Sequence, residues 1–223
     1  MKHIYLISGL GADERVFSYL SFDNHITHHI KWFTPNNDES LSEYAKRLSV
    51  QIQNNKPIII GVSFGGIIAV ELSKIIPYDK IIIISSAKNC YELPYYYKLA
   101  GGLRLYTIIP KNTLKWYNFI IAYLFGALTS EEKLLLKAII EDTDVYFAKW
   151  AISRILTWKS LHLNTPNLYH IHGTRDRLIP FNNIMNCIKV DDGSHFMIVN
   201  KAKHINSIIN DILLSVNKRP AQN

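Results

Sequence analysis

Two uninterrupted apolar runs constrain this chain most: Pro-Ile-Ile-Ile-Gly at residues 57–61 and Lys-Ile-Ile-Ile-Ile-Ser at residues 80–85. β-Branched residues without polar alternation suit strands that are covered on both faces, as in parallel sheets sandwiched between helices. Parallel neighbours need a crossover, usually a helix. One follows the first run at once, in Gly65-Gly66-Ile67-Ile68-Ala69-Val70, and Pro77 ends it. Residues 3–8 form a further strand that breaks into the loop Gly9-Leu10-Gly11-Ala12, and residues 168–172 and 188–191 form two more. A weaker strand is expected at residues 30–33, with His25, His28 and His29 in a polar loop before it. Ser40 with Glu43 three residues on is a capping box, and Leu41, Tyr44, Leu48 and Ile52 give the helix it starts a core-facing stripe. Ile205, Ile208, Ile209, Ile212, Leu213 and Val216 mark an amphipathic closing helix before a frayed end at residues 218–223. The predicted class is α/β, a mostly parallel sheet of about six strands flanked by helices.

The β-then-α rhythm stops between residues 87 and 163. Thr129 and Glu132 form another capping box there, and Phe147, Trp150, Ala151, Arg154, Ile155 and Trp158 trace one helical face. Three of the four tryptophans, Trp116, Trp150 and Trp158, fall in this segment. It reads as a helical cap inserted in a single domain spanning residues 1–223. Most of its aromatic residues are expected to pack the cap against itself and the body, and the remainder to line an apolar pocket.

Composition excludes several classes. With 48% hydrophobic and 19% charged residues the chain is globular rather than disordered. Cys90 and Cys187 have neither disulfide-framework nor zinc-ligand spacing, which points to a reducing cytoplasm. The apolar run Ile4 to Ile7 is too short for a secretion signal, and no stretch reaches the roughly 18 apolar residues of a membrane span. The formal charge of +7 is scattered, without a run of five basic residues or a nucleic-acid motif, so it reads as solvated surface and no nucleic-acid partner is expected.

The chemistry centres on Gly61-Val62-Ser63-Phe64-Gly65, which matches the nucleophile-elbow pattern Gly-x-Ser-x-Gly. The pattern alone is modest evidence; its place between an apolar strand and an apolar helix, with small residues that let the two backbones approach, is what gives it weight. A serine hydroxyl needs a base at neutral pH. Of nine histidines, His195 alone sits in a short loop just after the last strand, Asp192-Gly193-Ser194-His195-Phe196, within reach of Ser63 across the carboxyl edge of a parallel sheet. The base needs an acid to orient it. Asp176, in His172-Gly173-Thr174-Arg175-Asp176, follows a strand at the same edge. Asp191 and Asp192 are the alternatives, awkwardly close to His195 in sequence. Two backbone N–H groups must hold the developing oxyanion, and Phe64 and Leu10 are the candidates.

With its early Gly-rich loop, the elbow at Ser63, the helical insertion, the His-Gly-x-x-Asp ending at Asp176 and the Gly-Ser-His at His195, the chain resembles the compact, cap-bearing members of the α/β-hydrolase superfamily. Two features depart from that pattern: Ser8 stands where such loops often carry histidine, and the first two strands of the fuller fold are missing. The resemblance implies hydrolysis of a small-molecule ester through an acyl-enzyme on Ser63, His195 and Asp176, with no metal and no organic cofactor. Thioester cleavage, carbon–carbon bond hydrolysis, lyase or perhydrolase chemistry on the same triad, and non-catalytic ligand binding, are the alternatives. Oligomeric state is left open.

Overall fold

In the computed structural model, residues 1–161 and 165–215 are described. The two isoleucine runs become neighbouring central strands, β3 (Ile58–Val62) and β4 (Lys80–Ile84), paired in parallel with Ile60 opposite Ile82. Around them lie β1 (Lys2–Ile7), β2 (His25–His29), β5 (Leu168–Gly173) and β6 (Ile188–Val190), in the order β2-β1-β3-β4-β5-β6, and every pairing is parallel.

The missing alternation in the runs has a direct cause. Ile59, Ile81 and Ile83 pack on one side of the sheet against α1 (Leu41–Leu48) and α2 (Phe64–Leu72). Their neighbours Ile58, Ile60, Ile82 and Ile84 pack on the other side with Ile205, Ile209 and Ile212 of the closing helix. Successive strand residues point to opposite faces, so both sets must be apolar.

The second strand lies earlier than the sequence suggests, at His25–His29 rather than residues 30–33. It is an edge strand paired only with β1, and none of its residues is fully buried, so nothing selects an apolar run there. The three histidines read as loop belong to it; Ile30 extends the ladder by donating to Leu6 O at 2.9 Å.

Between β4 and β5 run α3 (Tyr95–Gly102), α4 (Phe119–Phe125), α5 (Ser130–Asp142) and α6 (Val145–Leu156). Both capping boxes form, at Ser40 for α1 and at Thr129 for α5. Phe147 and Trp150 of α6 and Trp158 just past its end are buried, Phe147 and Trp150 packing tilted or edge-on around Tyr44 of α1 and Phe64 of α2. Leu163, the expected end of this segment, lies outside the described residues. So do Val216 and residues 218–223; α7 (Met197–Asn200) and α8 (Ala202–Leu214) close the described chain. Among the described residues no helix is long and apolar enough to cross a membrane.

Close backbone approach holds the elbow region together. A Cβ on Gly65 would lie 2.2 Å from Ser8 O and 2.3 Å from Ile7 O, and one on Gly61 would lie 2.3 Å from Gly65 O. Backbone atoms of the sheet centre have little room to retreat, so Gly65→Ala is expected to destabilise the fold by about 3 kcal/mol despite alanine's better helix propensity. Urea unfolding measures this; an unchanged midpoint would show that the strand and helix separate freely.

Candidate active site

Ser63 is the residue between β3 and α2, and its backbone takes φ +52° and ψ −119°. A non-glycine residue there is strained, typically by about 1–3 kcal/mol, and is retained where surrounding contacts enforce it. Here Ser63 N donates to Ile84 O at 2.9 Å, and Ser86 Oγ donates to Ser63 O at 2.7 Å. Gly66 leaves the space that Ser86 occupies, since a Cβ on it would sit 2.3 Å from that hydroxyl oxygen. The turn therefore lifts the Ser63 side chain off the sheet edge.

The strands that follow deliver the other two groups to the same edge. The turn after β5 and the loop after β6 touch, with Arg175 N donating to Gly193 O at 2.8 Å and Gly173 leaving room for Gly193. This contact sets Asp176 beside His195. His195 Nδ1 lies 2.8 Å from Asp176 Oδ2, and His195 Nε2 lies 2.9 Å from Ser63 Oγ. Asp176 Oδ1 accepts from the N–H groups of Leu178 and Ile179, both at 2.9 Å. Burial alone would push the Asp176 carboxyl up, but the charge and hydrogen bond of His195, with help from His172 and the Ile179 N–H, hold it below the usual aspartate value. The alternatives face solvent: Asp192 pairs with Arg175 at 2.8 Å and Asp191 with Lys189 at 3.4 Å.

Leu10 and Phe64 line the same cavity as Ser63 and His195, and Gly9 brings the early loop to Ser63, a Cβ there lying 3.4 Å from the serine Cβ. Ser8, in place of the expected histidine, braces that loop. Its Oγ donates to Ala12 O at 2.6 Å and accepts from the Trp32 indole at 3.1 Å.

The cavity beside Ser63 measures about 340 Å³. Leu93, Tyr97, Leu114, Trp116, Ile121 and Phe125 form much of the wall that comes from the segment between β4 and β5. Among its described lining residues none is Asp, Glu, Lys or Arg.

Behind Asp176 lies a group of buried polar side chains to which the sequence assigns no role. His172 donates from Nε2 to Ile179 O at 2.9 Å and lies 3.6 Å from Asp176 Oδ2. That tautomer leaves Nδ1 to accept from His170 Nε2 at 3.2 Å. The other ring nitrogen of His170 faces Glu92 at 3.8 Å, and Glu92 accepts from the backbone of Lys88 at 2.7 Å and of Met185 at 3.2 Å. The readable signal was His-x-His on one strand, which puts both rings on one face.

Burial holds His170 well below the ordinary histidine value of 6.5, and the charges of His172 and Lys88 act in the same direction. Burial also lowers His172, against the pull of Asp176 and Ile179 O. Burial raises Glu92, opposed by Lys88. Both histidines are thus neutral in the folded protein near neutral pH. As pH falls through the unfolded-state value, the unfolded chain takes up protons that the fold excludes, and stability falls. Glu92 contributes with the opposite sign at lower pH. Stability from urea unfolding is therefore expected to drop between about pH 7.5 and 5.5, with a shallower slope in His170→Gln. Equal slopes in the two proteins would show that His170 is not held neutral.

No protein-family model and no curated protein matches this sequence. Solved structures do match its fold. An esterase from Exiguobacterium antarcticum aligns with a TM-score of 0.74 at 13% identity, covering 96% of this chain and 92% of that one. A hydrolase from Oleispira antarctica aligns at 0.72 and 19% identity over 96% and 92% of the two chains. A lipase-esterase related protein from Clostridium acetobutylicum aligns at 0.68 and 14% identity over 95% and 94%. Identities this low speak for architecture alone. By its all-parallel six-stranded sheet and these likenesses, the chain has the α/β-hydrolase fold.

Proposed function

We propose that this protein is a serine hydrolase that cleaves a small carboxylic ester with an uncharged, apolar acyl group. One observation carries the proposal: an unbroken hydrogen-bonded line from Asp176 through His195 to Ser63, whose hydroxyl opens on an apolar cavity.

Local chemistry sets the proton positions. The Asp176 carboxylate can only accept, and two N–H groups occupy Oδ1, so Oδ2 is left for His195. His195 Nδ1 therefore carries the proton, and the Nε2 lone pair faces Ser63 Oγ. Ser63 attacks the ester carbonyl carbon as its proton passes to Nε2. Asp176 stabilises the resulting imidazolium, and the backbone N–H groups of Phe64 and Leu10 take the oxyanion. His195 then protonates the departing alcohol. In the second half it deprotonates water, which releases the acid and frees Ser63. The chain's own groups handle each proton and charge in this scheme. The segment at residues 87–163 acts as the cap that walls the cavity, and a reducing cytoplasm suits the free thiols of Cys90 and Cys187.

A fluorophosphonate probe is expected to label Ser63, with no labelling in Ser63→Ala or His195→Ala. Both variants should lose about 10³-fold or more in kcat/KM on p-nitrophenyl butyrate. A folded wild-type protein that the probe leaves unmodified overturns the reading in favour of ligand binding without catalysis.

The uncharged wall makes a second expectation. An ω-carboxylated acyl ester of the same length should be cleaved about 10²-fold less efficiently than the neutral one, because a carboxylate finds no lysine or arginine among the cavity's described lining residues. Comparable kcat/KM values for the two esters would show that the acyl group lies elsewhere.

A further inference from the structure

The segment between β4 and β5 has two faces. One lines the cavity. The other turns large apolar side chains to solvent. Tyr95 and Leu99 on α3 and Leu103 at its C-cap follow one another at helical spacing and are 80%, 59% and 63% exposed. On α4, Phe119, Ile120 and Tyr123 are 81%, 52% and 61% exposed. Ile108 and Trp116, in the stretch between, are 75% and 67% exposed, and Trp116 also lines the cavity. Single exposed apolar residues are ordinary, but a dense series along one segment is not.

Both helices are tied to the turn just past Asp176. Tyr97 of α3 donates from its hydroxyl to Leu178 O at 3.1 Å. Arg177 donates to Tyr123 O of α4 at 2.7 Å and stacks 4.0 Å from the Tyr123 ring. The outer faces of α3 and α4 therefore flank one rim, that of the cavity holding Ser63.

Charge distinguishes between possible occupants. Residues 93–130 contain Lys98, Arg104, Lys111 and Lys115 and no aspartate or glutamate, in a chain with 18 acidic residues. Lys98, Arg104 and Lys115 are exposed, as is Arg177 beside them. We propose that this face docks on an anionic phospholipid bilayer, with its tyrosine, tryptophan, phenylalanine and leucine side chains in the headgroup region and its cations on lipid phosphates. Aromatic side chains favour that boundary, and basic residues add attraction to an anionic surface. A second copy of the chain is a poorer fit, because a two-fold contact sets these cations against themselves, and residues 93–130 hold no acid to pair them. Nucleic acid would engage the cations but leave Leu99, Leu103, Ile108 and Phe119 without a role. The proposal does not depend on hydrolysis at Ser63.

The full chain is tested by co-sedimentation with vesicles of phosphatidylcholine, alone or with about 30% phosphatidylglycerol, while tryptophan emission is followed. Trp150 and Trp158 are buried and Trp32 is half-buried against Phe64 and Phe147, so a blue shift reports mainly on exposed Trp116. Partition into the anionic vesicles is expected to be about tenfold or more above the neutral ones, with a blue shift that Trp116→Phe removes. The triple variant Lys98→Glu/Arg104→Glu/Lys115→Glu should lose both signals at an unchanged Tm, while Lys203→Glu on α8 and Ser63→Ala keep both. Leu99→Ser/Phe119→Ser should bind more weakly and show a smaller shift. The proposal is overturned if anionic vesicles bind no better than neutral ones, or if the triple variant matches wild type. It is equally overturned if lipid-free self-association or duplex DNA produces the Trp116 shift while vesicles do not.

Discussion

Ser63 holds a backbone conformation that its own side chain disfavours, and the centre of the molecule is arranged around enforcing it. The strained turn requires β3 to run straight into α2, whose first turn lies too close to β3 for a Cβ at Gly61 and too close to the end of β1 for one at Gly65. It also requires the end of β4 to receive the Ser63 N–H and to supply the Ser86 hydroxyl. Ser85 just before it sits at φ +47°, so the adjacent strand ends in a strained turn of its own. These contacts turn a local cost into a fixed direction for one oxygen atom.

Phe64, the residue after Ser63, extends that order outward. Phe64 is buried among Trp32, Phe147 and Trp150, so the first turn of α2 is packed directly against α6 of the inserted segment. Trp150 is tied to the body by its indole N–H on Glu39 O at 3.0 Å, and Trp158 by its own on Glu71 at 2.8 Å. The inserted helices therefore differ in how they are held. α6 is part of the core, whereas α3 and α4 put their large side chains on the cavity and on solvent.

This difference bears on what could be read from the sequence. β3 and β4 were legible because they are central, and a strand enclosed on both faces has to be written in apolar residues. β2 was not, because an edge strand with half-exposed faces tolerates His-Ile-Thr-His-His. Ser63 stands out through its motif, and Asp176 and His195 because each lies just past the carboxyl end of a strand; the structure brings the three within hydrogen-bond distance. Their separation from Asp191 and Asp192 was legible only as a reach argument, which the exposed pairs of those two residues with Lys189 and Arg175 agree with. His-x-His on β5 does mark His170 and His172 as sharing a face, but the approach of Glu92 to His170 at 3.8 Å is a tertiary contact with no sequence spacing to betray it. The role of Ser8 was hidden likewise, since its partner Trp32 arrives from beyond β2.

The order of elements along the chain also governs when the site comes into being. Everything that shapes the Ser63 backbone, namely β1, β3, β4 and Ser86, lies before Ala87, whereas Asp176 and His195 lie beyond the inserted helices. Joining Ile84 to Ile171 requires closing a long loop, and such distant pairings come late when local contacts form first. Synthesis runs in the same direction, amino end first. A nascent chain thus carries Ser63 long before it carries Asp176 and His195, so the hydrogen-bonded line of the three is among the last contacts that can form.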